Sequence, residues 1–213
     1  MVVPVPDSAR HAAHALAQEL DLPYREGLVK NRYIGRTFIM ADQRSRKRSV
    51  RHKLNPIRTV FEGKKVLLVD DSIVRGNTSR KIVEMARRCG AEKVYFASTA
   101  PPLRYPCVYG IDMATRLEFV ARDSSVEEIG ELLGADRLVY QDLADLEEAA
   151  QVGNPAITSF CNACFSGCYP TEDISEEMLM EIEEERLRRD QRQEIKRSAG
   201  SSVPGAARRQ PTS

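Results

Sequence analysis

A chain of 213 residues with 32 basic and 31 acidic side chains carries a formal charge of only +1. That length suffices for one domain with a real core plus additions, and the charge balance excludes the broad basic field of a nucleic-acid binder, so any anion site must be local. No apolar run spans a bilayer, no basic leader with a cleavage pattern opens the chain, and five cysteines are too few for a disulfide scaffold, which together predict a soluble cytoplasmic protein with neither a nucleic-acid nor a membrane partner.

Met1 to Val5 reads as a buried strand, turned by Pro6-Asp7-Ser8 into an Ala/Leu-rich helix over Ala9 to Leu20. A domain rarely opens on a central strand, so the chain is expected to begin inside a longer protein. Pro23 to Met40 is mixed. Short β-prone pieces flank a basic, Gly-containing centre there, the pattern of an exposed hairpin or a mobile loop. Arg44 to Leu54 is densely basic with weak periodicity, and Asn55-Pro56 is expected to end whatever helix forms there.

Val66 to Val69 is a β-branched and Leu-rich run that stops at Asp70-Asp71, and a helix follows from Thr78 to Cys89. Ile82, Met85 and Ala86 give that helix an apolar face at helical spacing, and Gly90 stands where a C-terminal cap belongs. Val94 to Ala97 is a further strand, and Pro101-Pro102 interrupts the chain. A helix over Val126 to Leu133 ends at Gly134, Leu138 to Tyr140 is a short strand, and Leu143 to Ala150 another helix. Strand–helix alternation of this kind predicts an α/β fold with a parallel, doubly wound sheet. From Asn154 the character changes to a Cys-containing segment and a highly charged helix over Ser175 to Lys196. The Gly/Ser/Pro-rich stretch 198–213 is expected to be disordered.

The stretch from Val66 to Ser79 organises the rest. Ligands in open α/β sheets sit outside the carboxyl ends of the strands, where Asp70 and Asp71 fall. The loop from Ser72 through Ile73, Val74, Arg75 and Gly76 leads into Asn77, Thr78 and Ser79 at a helix start. Loop amides and a helix N-terminus favour a phosphate, and Gly76 lets the backbone approach closely. Paired carboxylates suit sugar hydroxyls or a hydrated magnesium ion. A sugar phosphate with magnesium satisfies all three features. Taken alone, the acid pair also fits a plain strand end followed by a helix cap. Neither a Gly-Lys-Ser/Thr nucleotide loop nor a GxGxxG fingerprint is present.

This stretch resembles the phosphoribosyl-pyrophosphate (PRPP) motif of type I phosphoribosyltransferases. With Lys30-Asn31-Arg32-Tyr33-Ile34-Gly35-Arg36-Thr37-Phe38-Ile39 upstream, the chain from Met1 to about Tyr169 is similar to the amidophosphoribosyltransferase (glutamine PRPP amidotransferase) family. The resemblance implies a type I phosphoribosyltransferase fold over residues 1–153, N-terminally incomplete, with an extension over 154–197. It implies conversion of PRPP, glutamine or ammonia, and water to 5-phosphoribosylamine, glutamate and pyrophosphate, the opening step of purine synthesis. By the same resemblance Ser8, Asp70 and Asp71 match magnesium-site positions, and Ser72 to Ser79 match the loop that takes the 5-phosphate. Lys30 and Tyr33 match a catalytic loop that closes over PRPP, excluding water and neutralising pyrophosphate. On residues alone, Lys30, Arg32 and Arg36 read equally as a solvated basic hairpin. The family's glutaminase domain, with its N-terminal cysteine nucleophile, has no counterpart here, so ammonia is expected from outside this chain, within a homo-oligomeric full-length enzyme.

Some family members carry a [4Fe–4S] cluster, and the resemblance places Cys107, Cys161 and Cys164 among its ligands, with another upstream. A cubane takes four thiolates, and Cys168 is extra, read either as a bystander or as a substitute ligand. Zinc, with a fourth ligand of its own, and ordinary free thiols are the competing readings. Cys89 reads as a small buried residue. Two other functions stay open. A non-catalytic PRPP-binding regulator of the same fold would not need the Lys30–Ile39 loop. A receiver domain also opens on Val-Leu-Leu-Val-Asp-Asp-Ser, but Asp112 follows no convincing buried strand.

Overall fold

The computed structural model describes residues 1–31, 54–111 and 115–200, with side chains through 189. Tyr33 and the rest of the expected loop from Arg32 to Ile39 lie outside the described residues, as do the basic stretch 44–53, Asp112 and the tail 201–213.

Four parallel strands form the main sheet in the order β1 (Val2–Pro4), β4 (Lys65–Asp70), β5 (Lys93–Ser98), β6 (Arg137–Tyr140). Every pairing in it is parallel. β4 lies between two neighbours and is covered on both faces, which is why its sequence is continuously apolar rather than alternating. Val66, Leu68 and Val69 are fully buried.

Alternate side chains point to opposite faces, and each face meets its own helices. Val3, Val66, Leu68, Val94, Phe96 and Leu138 share a core with α3 (Asn77–Arg88) and α4 (Val126–Leu133). Val2 and Val69 pack on the opposite face against α1 (Arg10–Glu19) and the Ala9 just before it. The contact is made through Ala9, Ala13 and Ala17, one alanine per turn, all but fully buried. Methyl groups let the helix stand close to the sheet. The doubly wound expectation holds, and α3, α4 and α5 (Leu143–Gln151) lie within a residue or so of where periodicity puts them.

A two-stranded antiparallel ribbon flanks the sheet. β2 (Leu28–Lys30) pairs with β3 (Leu54–Pro56), bringing Lys30 opposite Leu54. Asn55-Pro56 sits in a strand, the basic stretch before Leu54 lying outside the described residues, and a short α2 (Arg58–Phe61) follows it. Proline is tolerated because a two-stranded ribbon has a free edge. Leu28, Leu54 and Phe61 then seal the core.

Beyond the sheet, α6 (Ala163–Ser166) and α7 (Glu176–Gly200) form the C-terminal part. α7 runs to Gly200, past Lys196 and into the stretch that begins at 198. A 3-10 turn at Arg116–Glu118 joins this part to the α/β body. Leu103 and Phe119 pack there with Val74, Cys164 and Phe165. Arg116 clamps the start of α7 through Glu176 at 2.7 Å and Glu183 at 3.0 Å. Among the described residues, no helix is long and apolar enough to cross a membrane.

Candidate functional site

β4 ends at Asp70, in register with Ser98 of β5, so the acid pair emerges at the carboxyl edge in mid-sheet. Asp70 is buried and Asp71 exposed. The Asp71 amide donates to Asp70 Oδ1 at 2.9 Å. Thr99, one residue past β5, holds the backbone from the other side: its amide donates to the Asp70 carbonyl at 2.9 Å and its hydroxyl to the Asp71 carbonyl at 3.3 Å.

Burial pushes the Asp70 carboxyl up to about 7, the neighbouring Asp71 charge adds to the rise, and the amide bond from Asp71 opposes it. A buried carboxylate beside another carboxylate is an electrostatic deficit that a cation would relieve.

The turn after β1 closes on this pair. Val5 donates its amide to the Val69 carbonyl, carrying β1 alongside β4 to its end. The Pro6–Asp7 peptide that follows is cis. Ser8 then donates its hydroxyl to Asp71 Oδ2 at 2.6 Å, across 63 residues of sequence. Lys30, at the end of β2, reaches the same turn and pairs with Asp7 at 2.7 Å. Asp7 also faces Arg10 at 3.3 Å, which in turn meets Glu26 at 3.1 Å. Ser8, Lys30, Asp70 and Asp71 are thus assembled in one neighbourhood from three separate segments.

The loop from Ser72 to Gly76 is held from below. Ile73 is buried in the main core and the half-buried Val74 packs against the smaller cluster, so Ile73 can offer a ligand only backbone. The Val74 carbonyl accepts the Val120 amide at 2.9 Å. Arg75 pairs with Glu118 at 2.7 Å. Gly76 has φ +71°, a backbone conformation that L side chains rarely adopt, so the position favours glycine, although a Cβ there would meet Leu133 only at ordinary contact distance, 3.4 Å. α3 begins at Asn77 with no side-chain cap on its first amides and no acidic residue in its first turn. Those amides are left to an outside acceptor. Asn77 and Thr78 are exposed, whereas Ser79 is buried.

Asp7, Thr99 and Glu118 belong to this neighbourhood and escaped the sequence reading. Only Glu118 left a signal there: Thr115-x-x-Glu118 is a capping-box pattern, and the box forms.

The cysteines gather elsewhere. The Cys164 carbonyl accepts the amides of Arg104 and Tyr105, which draws α6 against the loop carrying Cys107. Burial pushes the Cys164 thiol up, and Cys107 and Cys161 are near enough to add to the rise. All five cysteines are free. Among the described residues, no group of three or more His, Cys, Asp or Glu side chains is arranged to hold a metal ion. The thiols therefore do not by themselves supply a cluster's ligand set. The acid pair is a different case. Magnesium typically takes one or two carboxylates and completes its shell with water and substrate phosphate, so the hard, under-neutralised pair at 70–71 fits it.

Comparison with known proteins agrees with this geometry. The family described as "Phosphoribosyl transferase domain" matches residues 1–105. Amidophosphoribosyltransferase of Haemophilus influenzae is 55% identical over 186 residues, covering 87% of this chain and 37% of that protein. The Saccharomyces cerevisiae protein of the same name is 50% identical, covering 87% and 36%. The glutamine PRPP amidotransferase of Bacillus subtilis, solved with ADP and GMP, superposes with a TM-score of 0.71 at 45% identity, over 82% of this chain and 39% of that one. A second solved structure, an allosteric regulatory enzyme of purine biosynthesis, gives 0.72 at 44% identity, over 85% and 39%. The chain spans a little over a third of the length of the curated relatives it matches. A parallel sheet ending in paired acids, an open helix N-terminus beyond them, and half-identical relatives agree: the chain belongs to the amidophosphoribosyltransferase family and has the type I phosphoribosyltransferase fold.

Proposed function

We propose that this chain binds PRPP with magnesium and transfers its 5-phosphoribosyl group to ammonia, giving 5-phosphoribosylamine and pyrophosphate as the opening step of purine synthesis. One observation carries the reading: the Asp70–Asp71 pair and the uncapped start of α3 lie at the two ends of one short loop. A ribose 5-phosphate needs those two kinds of partner at that spacing. The first-turn amides at Asn77 to Ser79, with the hydroxyls of Ser72 and Thr78, hold the 5-phosphate. The backbone of Ile73, Val74, Arg75 and Gly76 wraps it. Asp70 and Asp71 orient the ribose hydroxyls. Asp70, Asp71 and Ser8 would hold magnesium, which when bound neutralises the departing pyrophosphate. Lys30 adds a positive charge on the same side once PRPP competes with Asp7 for it. Tyr33 takes the catalytic role that the family resemblance gives it.

Ammonia comes from glutamine through a glutaminase domain of a longer, homo-oligomeric, cytoplasmic protein. Residues 1–153 form the transferase unit, 154–197 its extension and 198–213 a tail. No residue of this chain is assigned to glutamine hydrolysis. In the longer protein, Cys107, Cys161 and Cys164, which form no metal-holding group among the described residues, would have to draw together with a fourth thiolate from elsewhere to hold a [4Fe–4S] cluster. Iron and sulfide analysis of that protein checks this. Cluster content unchanged in Cys107→Ser and Cys161→Ser returns these residues to ordinary thiols.

The decisive measurement is calorimetric titration of the chain with PRPP, with and without magnesium chloride, followed by assay of pyrophosphate release with ammonium chloride. Magnesium-dependent binding with turnover is expected. Binding without turnover, even when the longer protein is used, favours the non-catalytic regulator. No binding overturns the site.

A further inference from the structure

We propose that Glu118 is a positioning residue for the phosphate loop, acting through Arg75 to fix the loop's outer wall in the shape that receives a phosphate. The inference rests on the reading of Ser72–Ser79 as that loop. Arg75 follows Val74 and precedes Gly76, so the direction of its side chain and the course of the loop backbone are set together. Its guanidinium meets Glu118 Oε2 at 2.7 Å, 43 residues away in sequence. Its Nε is buried and makes no hydrogen bond among the described residues. Among the described residues, the Glu118 contact is the side-chain bond that holds the guanidinium.

Glu118 is a fixed anchor rather than a loose surface carboxylate. The same oxygen closes the capping box, accepting from the Thr115 amide at 3.3 Å and the Thr115 hydroxyl at 3.4 Å. Next to it, Arg116 is only 15% exposed and is tied to Glu183 and Glu176 of α7. Two residues on, Val120 donates its amide to the Val74 carbonyl, and Phe119 packs against the Val74 side chain. Residues 115–120 thus grip the loop at two adjacent positions, by backbone at Val74 and by charge at Arg75. Burial favours the neutral form of Glu118, but the Arg75 pair and the Thr115 bonds outweigh it and hold the carboxyl below its usual range. The charged α7 helix gains a role in this arrangement, since it immobilises the turn that immobilises the loop.

The pair is more than a third exposed on both sides, and such pairs add little to global stability. Its effect belongs in ligand affinity. PRPP is titrated into the full chain with magnesium, for wild type and variants. Glu118→Gln keeps the shape and the acceptor for Thr115 while removing the charge. It is expected to weaken PRPP binding about tenfold with an unchanged thermal midpoint, whereas Glu118→Asp, with the charge kept, loses less. Thr115→Val removes the hydroxyl bond that helps fix Glu118 and is expected to weaken affinity, but less than Glu118→Gln. Arg75→Ala combined with Glu118→Gln binds no worse than Arg75→Ala alone, because the two act as one unit. Wild-type affinity in Glu118→Gln, tighter binding through a freed Arg75, or fully additive losses would each overturn the inference. If Glu118→Gln unfolds the chain, the role is structural and the inference also fails. A wild-type chain that does not bind PRPP refutes the loop reading itself. Binding by wild type and Glu118→Gln alike refutes only the role given to Glu118.

Discussion

Replacing Asp70 with Asn tests the electrostatics of the site directly. The Asp70 carboxyl moves from an ordinary 3.8 to about 7 on folding, because burial and the Asp71 charge both disfavour its ionised form. Between those values the folded chain holds a proton that the unfolded chain has lost. Stability therefore falls as pH rises from 4 to 7, and the full penalty persists above 7. Three pH units correspond to roughly 4 kcal/mol, of which about 2–3 kcal/mol accrues between pH 5 and pH 8. Asn carries no such penalty and its oxygen can still accept the Asp71 amide. Urea unfolding of both proteins at pH 5 and pH 8, without magnesium, should show Asp70→Asn gaining on wild type by about that margin at the higher pH. The gain should come with loss of magnesium-dependent PRPP binding, since the substitution removes one of the two carboxylates in the proposed magnesium site. Parallel stabilities across the two pH values would refute the claim that the site stores an uncompensated carboxylate.

Two other perturbations probe the frame around the site. Gly76→Ala forces an L-residue to φ +71° and should cost about 1–2 kcal/mol in denaturant unfolding; a neutral result would mean the loop has another accessible path. Arg116→Ala leaves Glu183, itself only 16% exposed, without its partner. Hydrogen exchange should then quicken at the start of α7 while β4 keeps its protection, and the local loss should be about 1–3 kcal/mol. Uniform protection along α7 would show that Leu179 and its neighbours hold the helix unaided.

The elements legible in the sequence were those whose patterns are local. β4 announced itself as an unbroken apolar run because both its faces are covered. α4 could be bounded to the residue, since Ser125 caps its start and Gly134 takes the left-handed conformation after its end. β3 was missed because Asn55-Pro56 is a helix-breaking signal in isolation. What makes it a strand is pairing with β2, across 23 residues of intervening chain that carry no trace of the partnership. The site divides the same way. Asp70, Asp71 and Gly76 stand together in one loop and were visible together. Ser8 and Lys30 entered through family resemblance alone, and the turn that unites them with Asp71 is tertiary. Asp7 and Glu118 stayed hidden because a carboxylate's partner cannot be read from its neighbours in sequence.

The alanine stripe of α1 does more than fill space. A helix seated on methyl groups lies near its sheet, and the turn that feeds it must lie equally near. Ser8, which reaches Asp71 at 2.6 Å, directly precedes Ala9, which is packed against Val2 and Val69. A leucine at position 13 would cost about 1–3 kcal/mol through overpacking. The larger consequence would be to lift the helix and stretch a contact that tolerates only tenths of an ångström. In a library selected for activity, Ala9, Ala13 and Ala17 would then behave as members of the site, although their side chains are buried. Their smallness is a dimension of the chemistry, written on the far side of the sheet.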